Sequence, residues 1–433
     1  MTEKKRALPP TARSVAARVL DRVLSDGAYA AAALDAELSR SVQLDARERG
    51  LATELTYGVL RTRRALEARL ERHAPKGIKD FSTRLQLILA AYQLLVLDRI
   101  PDFAAVDAAV GAVRAQRGPR VAGFANAVLR KLASSGERLS LEQALRESVP
   151  GWLFERLCRV VGEAEALAVL GGGEVSPKVG IRLARGRALP LSLRSAEPGR
   201  LSPLAFRLER QGDLHALEGY AAGDFVVQEE GAQAVGLSLG ARPGERVLDA
   251  CAGRGQKASL LAEQVGPNGH IVAADLHPQK LEALTREFER LGLPRPECRA
   301  LDWTVGTAAL PDDFDRVLVD APCSGTGTLR HRPEILERLG PDDPARLGEL
   351  AATILRAAAT RAKPGGRVVF AVCSLLEEEA EAVVERVADV LTPCPFDAPE
   401  LASLLGEGTK SLRLLPLRHG SDGYFVASFM RRG

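Results

Sequence analysis

Two cysteines, each at the end of an apolar run, carry the most chemistry in this chain. Asp320-Ala321-Pro322-Cys323-Ser324-Gly325-Thr326-Gly327 follows Arg316-Val317-Leu318-Val319, and Cys373-Ser374 follows Gly366-Arg367-Val368-Val369-Phe370-Ala371-Val372. Paired thiols beside a cofactor loop suit covalent activation of a carbon that is a poor nucleophile unaided, such as pyrimidine C5. Thiolate attack at C6 makes C5 enamine-like; C5 then accepts an electrophilic methyl group, and a base removes the C5 proton so that elimination frees the enzyme. The scheme needs one thiolate, one group that protonates or hydrogen-bonds N3, and one group for release. Asp320, Cys323 and Cys373 supply that set. The commonest fate of a free cysteine is burial as an inert apolar side chain. That reading holds for Cys158, Cys251, Cys298 and Cys394, with Cys251 also able to line the cofactor loop.

Upstream, Arg246-Val247-Leu248-Asp249 opens into Ala250-Cys251-Ala252-Gly253-Arg254-Gly255-Gln256-Lys257. A glycine-bearing turn after a first parallel strand is where an α/β sheet holds a nucleotide-like cofactor. Asp275, closing Ile271-Val272-Ala273-Ala274, falls where a carboxylate would hold ribose hydroxyls, and Asp302 follows the third strand, where a polar group would address adenine. This ordered set fits S-adenosylmethionine. A nicotinamide cofactor fits less well, because the loop lacks the G-x-G-x-x-G spacing that lets backbone approach a pyrophosphate.

The elements that must position these residues alternate from Gln228 onward as strand and helix. Strands are expected at Arg246–Asp249, His270–Ala274, Glu297–Ala300, Arg316–Val319 and Gly366–Val372, helices at 257–265, 277–291, 344–363 and 377–391, and a closing hairpin of Leu412–Leu415 with Tyr424–Met430. The expected fold is therefore α/β: a Rossmann-like, mostly parallel sheet with an antiparallel terminal hairpin. Residues 10–140 instead read as consecutive amphipathic helices, with Val15, Val19 and Val23, and Leu85, Ile88, Leu89 and Tyr92, at helical spacing. Breaks are expected at Gly27, Pro75-Lys76-Gly77, Pro101 and Gly118-Pro119, with Asp45 and Asp102 as helix N-caps. Trp152 to Leu170 reads as one helix ended by Gly171-Gly172-Gly173, and short β-like runs follow at Val179–Leu183 and Ala205–Leu208. Three domains are expected: all-α over 1–140, a small α+β connector over 150–227, and the α/β domain over 228–433.

Composition narrows the setting. The start, Met1-Thr2-Glu3-Lys4-Lys5-Arg6, lacks a signal-peptide core, and the apolar stretch from Leu85 to Leu97 is too short to span a bilayer. Six cysteines without CxxC pairing or zinc-type spacing indicate neither a disulfide framework nor a metal site. A cytoplasmic protein without membrane partners is expected. The net charge of +3 hides an asymmetry: residues 1–140 hold 24 Lys and Arg against 15 Asp and Glu, a net of +9, which leaves −6 for the rest. A basic first third suits an RNA-gripping module, although an arginine-rich solvated helical surface would look the same. His331-Arg332-Pro333 reads equally as a phosphate contact or a surface loop.

The chain resembles the RNA cytosine-C5 methyltransferases of the NOL1/NOP2/Sun group. Asp320 through Gly327 is nearly identical to that family's fourth motif, Cys373-Ser374 falls in its sixth, and Asp422-Gly423-Tyr424-Phe425-Val426-Ala427 is similar to its closing strand. Phe124-Ala125-Asn126-Ala127-Val128-Leu129-Arg130 resembles a NusB-type helical domain, which the family's small-subunit rRNA enzymes carry. The resemblance implies that Cys373 is the nucleophile and Cys323 assists release. It also implies cofactor contacts from Cys251, Ala252, Gly253, Arg254, Gly255, Gln256, Lys257, Asp275, Asp302 and Asp320. It implies 16S rRNA, single-stranded or unfolded, as partner, and a monomeric enzyme. Two departures stand out: Gln256 replaces a glycine of the first motif, and Val372 replaces a common threonine. The competing functions are C5 methylation of tRNA or another RNA, a non-catalytic NusB-type RNA-binding or antitermination factor, and an amino-group methyltransferase. The last would carry Asn/Asp-Pro-Pro-Tyr where Asp320–Cys323 stands.

Overall fold

The computed structural model describes residues 10–172, 178–208, 214–306 and 310–432. The Met1–Arg6 run and Gly173 lie outside them. Seven helices open the described chain: α1 (Ala12–Ser25), α2 (Ala30–Arg40), α3 (Ala46–His73), α4 (Phe81–Leu95), α5 (Asp102–Arg117), α6 (Pro119–Ser134) and α7 (Leu141–Ser148). Their apolar stripes, including Leu20, Leu55, Leu66, Leu87, Val113 and Leu129, close one core. Asp45 caps α3 by accepting the Glu48 amide at 2.8 Å. Asp102 is not a cap as expected. Pro101, with φ near −59°, occupies that position and Asp102 becomes the first helical residue, where its charge still meets the positive helix end and binds Arg138 at 3.1 Å.

The single helix expected over 152–170 is two, α8 (Gly151–Val161) and α9 (Glu163–Val169), because Gly162 takes φ +81° between them. Their apolar side chains share a core with Leu329, Leu336, Leu375, Leu376 and Leu415, so they brace the loops that carry both cysteines. A small antiparallel sheet follows, β1 (Val179–Leu183), β2 (Glu197–Pro198), β3 (Ala205–Leu208) and β4 (Phe225–Val227), in the order β2-β3-β1-β4.

The large sheet comprises β5 (Arg246–Asp249), β6 (His270–Asp275), β7 (Glu297–Ala300), β8 (Phe314–Asp320), β9 (Ala362–Val372), β10 (Leu391–Pro393), β11 (Ser411–Leu414) and β12 (Tyr424–Arg431). Its order is β10-β12-β9-β8-β5-β6-β7, with β11 also on β12; β5 to β9 run parallel and β12 antiparallel to β9. Alternate residues face opposite layers, as strand geometry requires. Val247, Ile271, Leu318 and Val369 pack with α10 (Glu230–Ser238), α11 (Gln256–Val265) and α12 (Pro278–Leu291). Leu248, Val272, Val317 and Phe370 pack with α13 (Asp343–Ala359) and α14 (Glu381–Arg386). This is the α/β Rossmann-like sheet the pattern predicted.

Two helix boundaries differ from expectation. α13 ends at Ala359, because β9 already begins at Ala362. The helix expected over 377–391 is a 3₁₀ turn at Glu377–Glu379 and a short α14, broken at Ala380 (φ −115°, ψ −98°) where Glu379 turns inward. The last helix, α15 (Pro416–His419), lies within the terminal hairpin.

One buried cation joins the small sheet to the cofactor helix. Arg182 of β1 is fully buried and donates to Gln228 Oε1 (2.8 Å), Ser259 Oγ (2.8 Å) and the Glu263 carboxylate of α11. Arg182→Ala leaves Glu263 buried without its partner. It is expected to cost about 3–5 kcal/mol in chemical denaturation, whereas Arg182→Met with Glu263→Leu is expected to recover most of that loss.

Candidate active site

β8 and β9 pair in parallel with Val319 opposite Phe370 and Asp320 opposite Ala371, so Asp320, Cys323 and Cys373 emerge together at the carboxyl edge of the sheet. Cys323 Sγ lies 3.4 Å from Cys373 Sγ, and both thiols are free. Hydrogen bonding with Cys373, and then burial, hold the Cys323 thiol well above its usual range and keep it protonated.

The loops carrying the sulfurs are locked to each other. Gly327 N donates to Cys373 O (2.9 Å) and Gly423 N to Gly327 O (2.8 Å), an approach so close that a Cβ on Gly327 would fall 2.0 Å from Gly423 O. Glu379, fully buried, accepts from Ser324 N (2.6 Å), Ser324 Oγ (2.5 Å) and Ser374 Oγ (2.6 Å). Thr326 Oγ1 sits 3.0 Å from Ser374 Oγ. Each serine that follows a catalytic-loop cysteine is thereby tied to one carboxylate.

Lys257 Nζ of α11 donates to Asp320 Oδ2 at 2.6 Å. Burial opposes the ammonium, but attraction and hydrogen bonding to Asp320, then Asp249, outweigh it and raise Lys257 above its ordinary value; the Cys373 sulfur acts on it in the same direction. A fixed cation thus stands within electrostatic reach of Cys373. Opposite, in the β5–α11 loop, Gly253 (φ +56°) has open space where a Cβ would project, and its N–H donates to Asp275 Oδ2 at 3.0 Å. Asp275 Oδ1 accepts from His277 N at 2.9 Å.

Comparisons with known proteins identify the family. Residues 10–134 match the NusB family and residues 236–430 match the 16S rRNA methyltransferase RsmB/F family. A probable ribosomal RNA small subunit methyltransferase B from Bacillus subtilis (strain 168) is 30% identical over 97% of this chain and 99% of its own length. The chain belongs to the ribosomal RNA small subunit methyltransferase B family. The Xanthomonas campestris pv. campestris ribosomal RNA small subunit methyltransferase B is 32% identical over 100% of this chain and 99% of its own. The crystal structure of PH0851 superposes with a TM-score of 0.81 at 22% identity, covering 98% of this chain and 99% of that one, a likeness of fold.

Within this ribosomal RNA small subunit methyltransferase B family member, the sequence-derived candidates fall into two groups. Cys251, Ala252, Gly253, Lys257, Asp275, Asp320, Cys323 and Cys373 lie at or beside the mouth described above, and Gly255, left-handed at φ +88°, turns the same loop into α11. Burial, then the charges of Asp249, Asp320 and Asp275, push the Cys251 thiol well up and keep it neutral. Three more candidates have settings of their own. Arg254 is exposed. Gln256 starts α11 and donates its side chain to Val227 O of β4 at 2.6 Å, so the residue that replaces a glycine is accommodated and ties the loop to the small sheet. Asp302 accepts from Thr304 N (2.9 Å) and Thr304 Oγ1 (2.6 Å), capping its own turn. His331 binds Asp422 at 2.8 Å.

Asp249 was not singled out from sequence, where a strand-end aspartate reads as a turn residue. It is 1% exposed, and neither oxygen closes a well-formed hydrogen bond among the described residues, though the Cys251 amide points toward it. Burial, partly offset by Lys257, raises its carboxyl from 3.8 to about 7. The folded state therefore holds this proton more tightly than the unfolded chain. The group's stabilising contribution is complete below pH 4 and is lost as pH rises through 7. Asp249→Asn is expected to remove that loss, so its stability advantage over wild type in urea denaturation grows between pH 4 and 8, with a ceiling of about 4 kcal/mol.

Proposed function

We propose that this protein transfers a methyl group from S-adenosylmethionine to C5 of a cytosine in 16S rRNA, with Cys373 as nucleophile and Cys323 as the release group. The observation that carries the reading is the pair of sulfurs 3.4 Å apart beside the Lys257–Asp320 ion pair. A single catalytic thiol would serve simpler displacements; two in contact suit addition followed by elimination.

The residues fit the cofactor. Gly253 leaves room for close backbone approach, Asp275 stands at the end of the second parallel strand, and Asp275 and Asp320 set carboxylates at the mouth suited to a sulfonium. When bound, S-adenosylmethionine supplies an electrophilic methyl group. The protein's own residues do the rest. The Lys257 charge favours the Cys373 thiolate, which adds to C6. The electron pair displaced toward N3 is met by the proton and hydrogen bond of the Lys257–Asp320 pair, leaving C5 nucleophilic. Once Cys373 is bonded to carbon it carries no charge, so its hold on the Cys323 proton ends. With C5 methylated, Cys323 passes its proton to solvent water and, as the thiolate, takes the C5 hydrogen; the C5–H electron pair forms the C5–C6 double bond, the Cys373–C6 pair leaves on sulfur, and the proton at N3 returns to the Lys257–Asp320 pair.

The cytosine must leave its stack to reach sulfur, which favours a loop or unfolded rRNA as substrate. The basic helical unit would grip phosphates, making binding salt-sensitive. Among the described residues no helix is long and apolar enough to cross a membrane, and a cytoplasmic monomer is proposed. Incubation of unmodified 16S rRNA with the protein and labelled cofactor, followed by nucleoside analysis, tests the reading. Label in 5-methylcytidine is expected; label on an exocyclic nitrogen would overturn it.

A further inference from the structure

The helical unit docks on the segment after the Cys323 loop through α3, where Arg61 donates to Arg330 O and Arg63 pairs with Glu337, and through the start of α2. The start of α2 docks on the segment after the Cys323 loop: Arg338 donates to Gly27 O (2.6 Å) and Ala28 O (3.1 Å), and Ala30 N donates to Glu334 Oε1 (3.4 Å). The residue between these contacts, Tyr29, is 57% exposed, and its hydroxyl has no hydrogen-bond partner among the described residues.

Tyr29 lines an open cavity of about 220 Å³ together with Cys323, Ser324, Arg332, Ile335 and Arg338. The guanidinium of Arg332 stands 5.1 Å from the ring centroid, and that of Arg338 stands 5.9 Å from it. Of the acids at the same cavity, Glu334 is buried and accepts from the Ala30 amide, and Asp343 accepts from Gly340 N and Arg346, both at 2.8 Å. What remains available is an exposed flat ring with two guanidinium groups close to it. Single-stranded RNA is bound by this combination, the base stacking on the ring and the cations meeting its phosphate.

We propose that Tyr29, with Arg332 and Arg338, stacks the nucleobase next to the target cytosine. The position of that target rests on the reading above. The cavity that holds Tyr29 also contains Cys323, so a base flanking the one attacked at Cys373 falls within it. The helical unit thereby contributes a base-contacting side chain to the catalytic mouth, in addition to any phosphate grip.

The test is affinity for unmodified 16S rRNA transcript, by filter binding at several salt concentrations. Tyr29→Ala is expected to weaken binding about tenfold, with the salt slope unchanged because tyrosine neutralises no phosphate. Tyr29→Phe, which keeps the ring, is expected to bind as wild type, and the melting temperature of both variants is expected to stay at the wild-type value. Wild-type affinity in Tyr29→Ala, or an equal loss in Tyr29→Phe, would overturn the stacking site. Binding is read without methyl transfer. A protein that needs the Tyr29 ring for RNA affinity but forms no 5-methylcytidine would therefore sink the functional reading and leave this one standing.

Discussion

Cys373→Ala is expected to lower methyl transfer by about 10⁴-fold or more, because without the thiolate C5 never becomes nucleophilic. Cys323→Ala is expected to lower turnover by about 10²- to 10⁴-fold, the usual worth of a positioned acid or base. The two losses differ in kind. Without Cys373 no covalent species forms, whereas without Cys323 addition proceeds and elimination stalls. Cys323→Ala should therefore accumulate a protein–RNA species that survives denaturing electrophoresis, and the double variant should show none. Single-turnover and steady-state assays on the same RNA separate these outcomes. Glu379 and the Gly327–Gly423 clamp hold the loops independently of the thiols. Both alanine variants are thus expected to fold.

Asp320→Leu is expected to cost about 10²- to 10⁴-fold in turnover, because N3 loses its proton and hydrogen-bond partner as charge develops there. It also strands Lys257, whose side chain is only 15% exposed. Removing one member of a buried pair costs about 3 kcal/mol here, at the low end of the range because Asp320 itself keeps some exposure. Lys257→Met combined with Asp320→Leu should restore most of that stability by replacing the pair with apolar side chains. It should restore no activity. Urea denaturation alongside kinetics separates the chemical role from the structural one: recovery of turnover in the double variant would mean that the pair merely holds the loop.

Much of the catalytic sheet is legible in the sequence for a simple physical reason. Parallel strands buried on both faces are continuous apolar runs, and polar or glycine residues bound them. Arg246–Asp249 and Glu297–Ala300 match the observed β5 and β7 to the residue. β10 was not foreseen, since Leu391–Pro393 is short and contains a proline and forms only by pairing with β12. Residues whose importance comes from distant contacts were also invisible. Glu379 sits in an acidic run that reads as a solvated face, yet it is the fully buried acceptor for both serines. Tyr29 gains its setting from residues some 300 positions later. Asp302 was placed correctly at a strand end, but the threonine two residues on captures its carboxylate. The local motif predicts which strand ends meet; which side chains turn inward is decided by tertiary packing.

The thiol roles are tested most directly by digesting the RNA-linked species formed by Cys323→Ala and mapping the modified peptide by mass spectrometry. The nucleotide mass is expected on the peptide that contains Cys373. Attachment to any other residue, or accumulation of the linked species by Cys373→Ala instead, would contradict the assignment of nucleophile and release group.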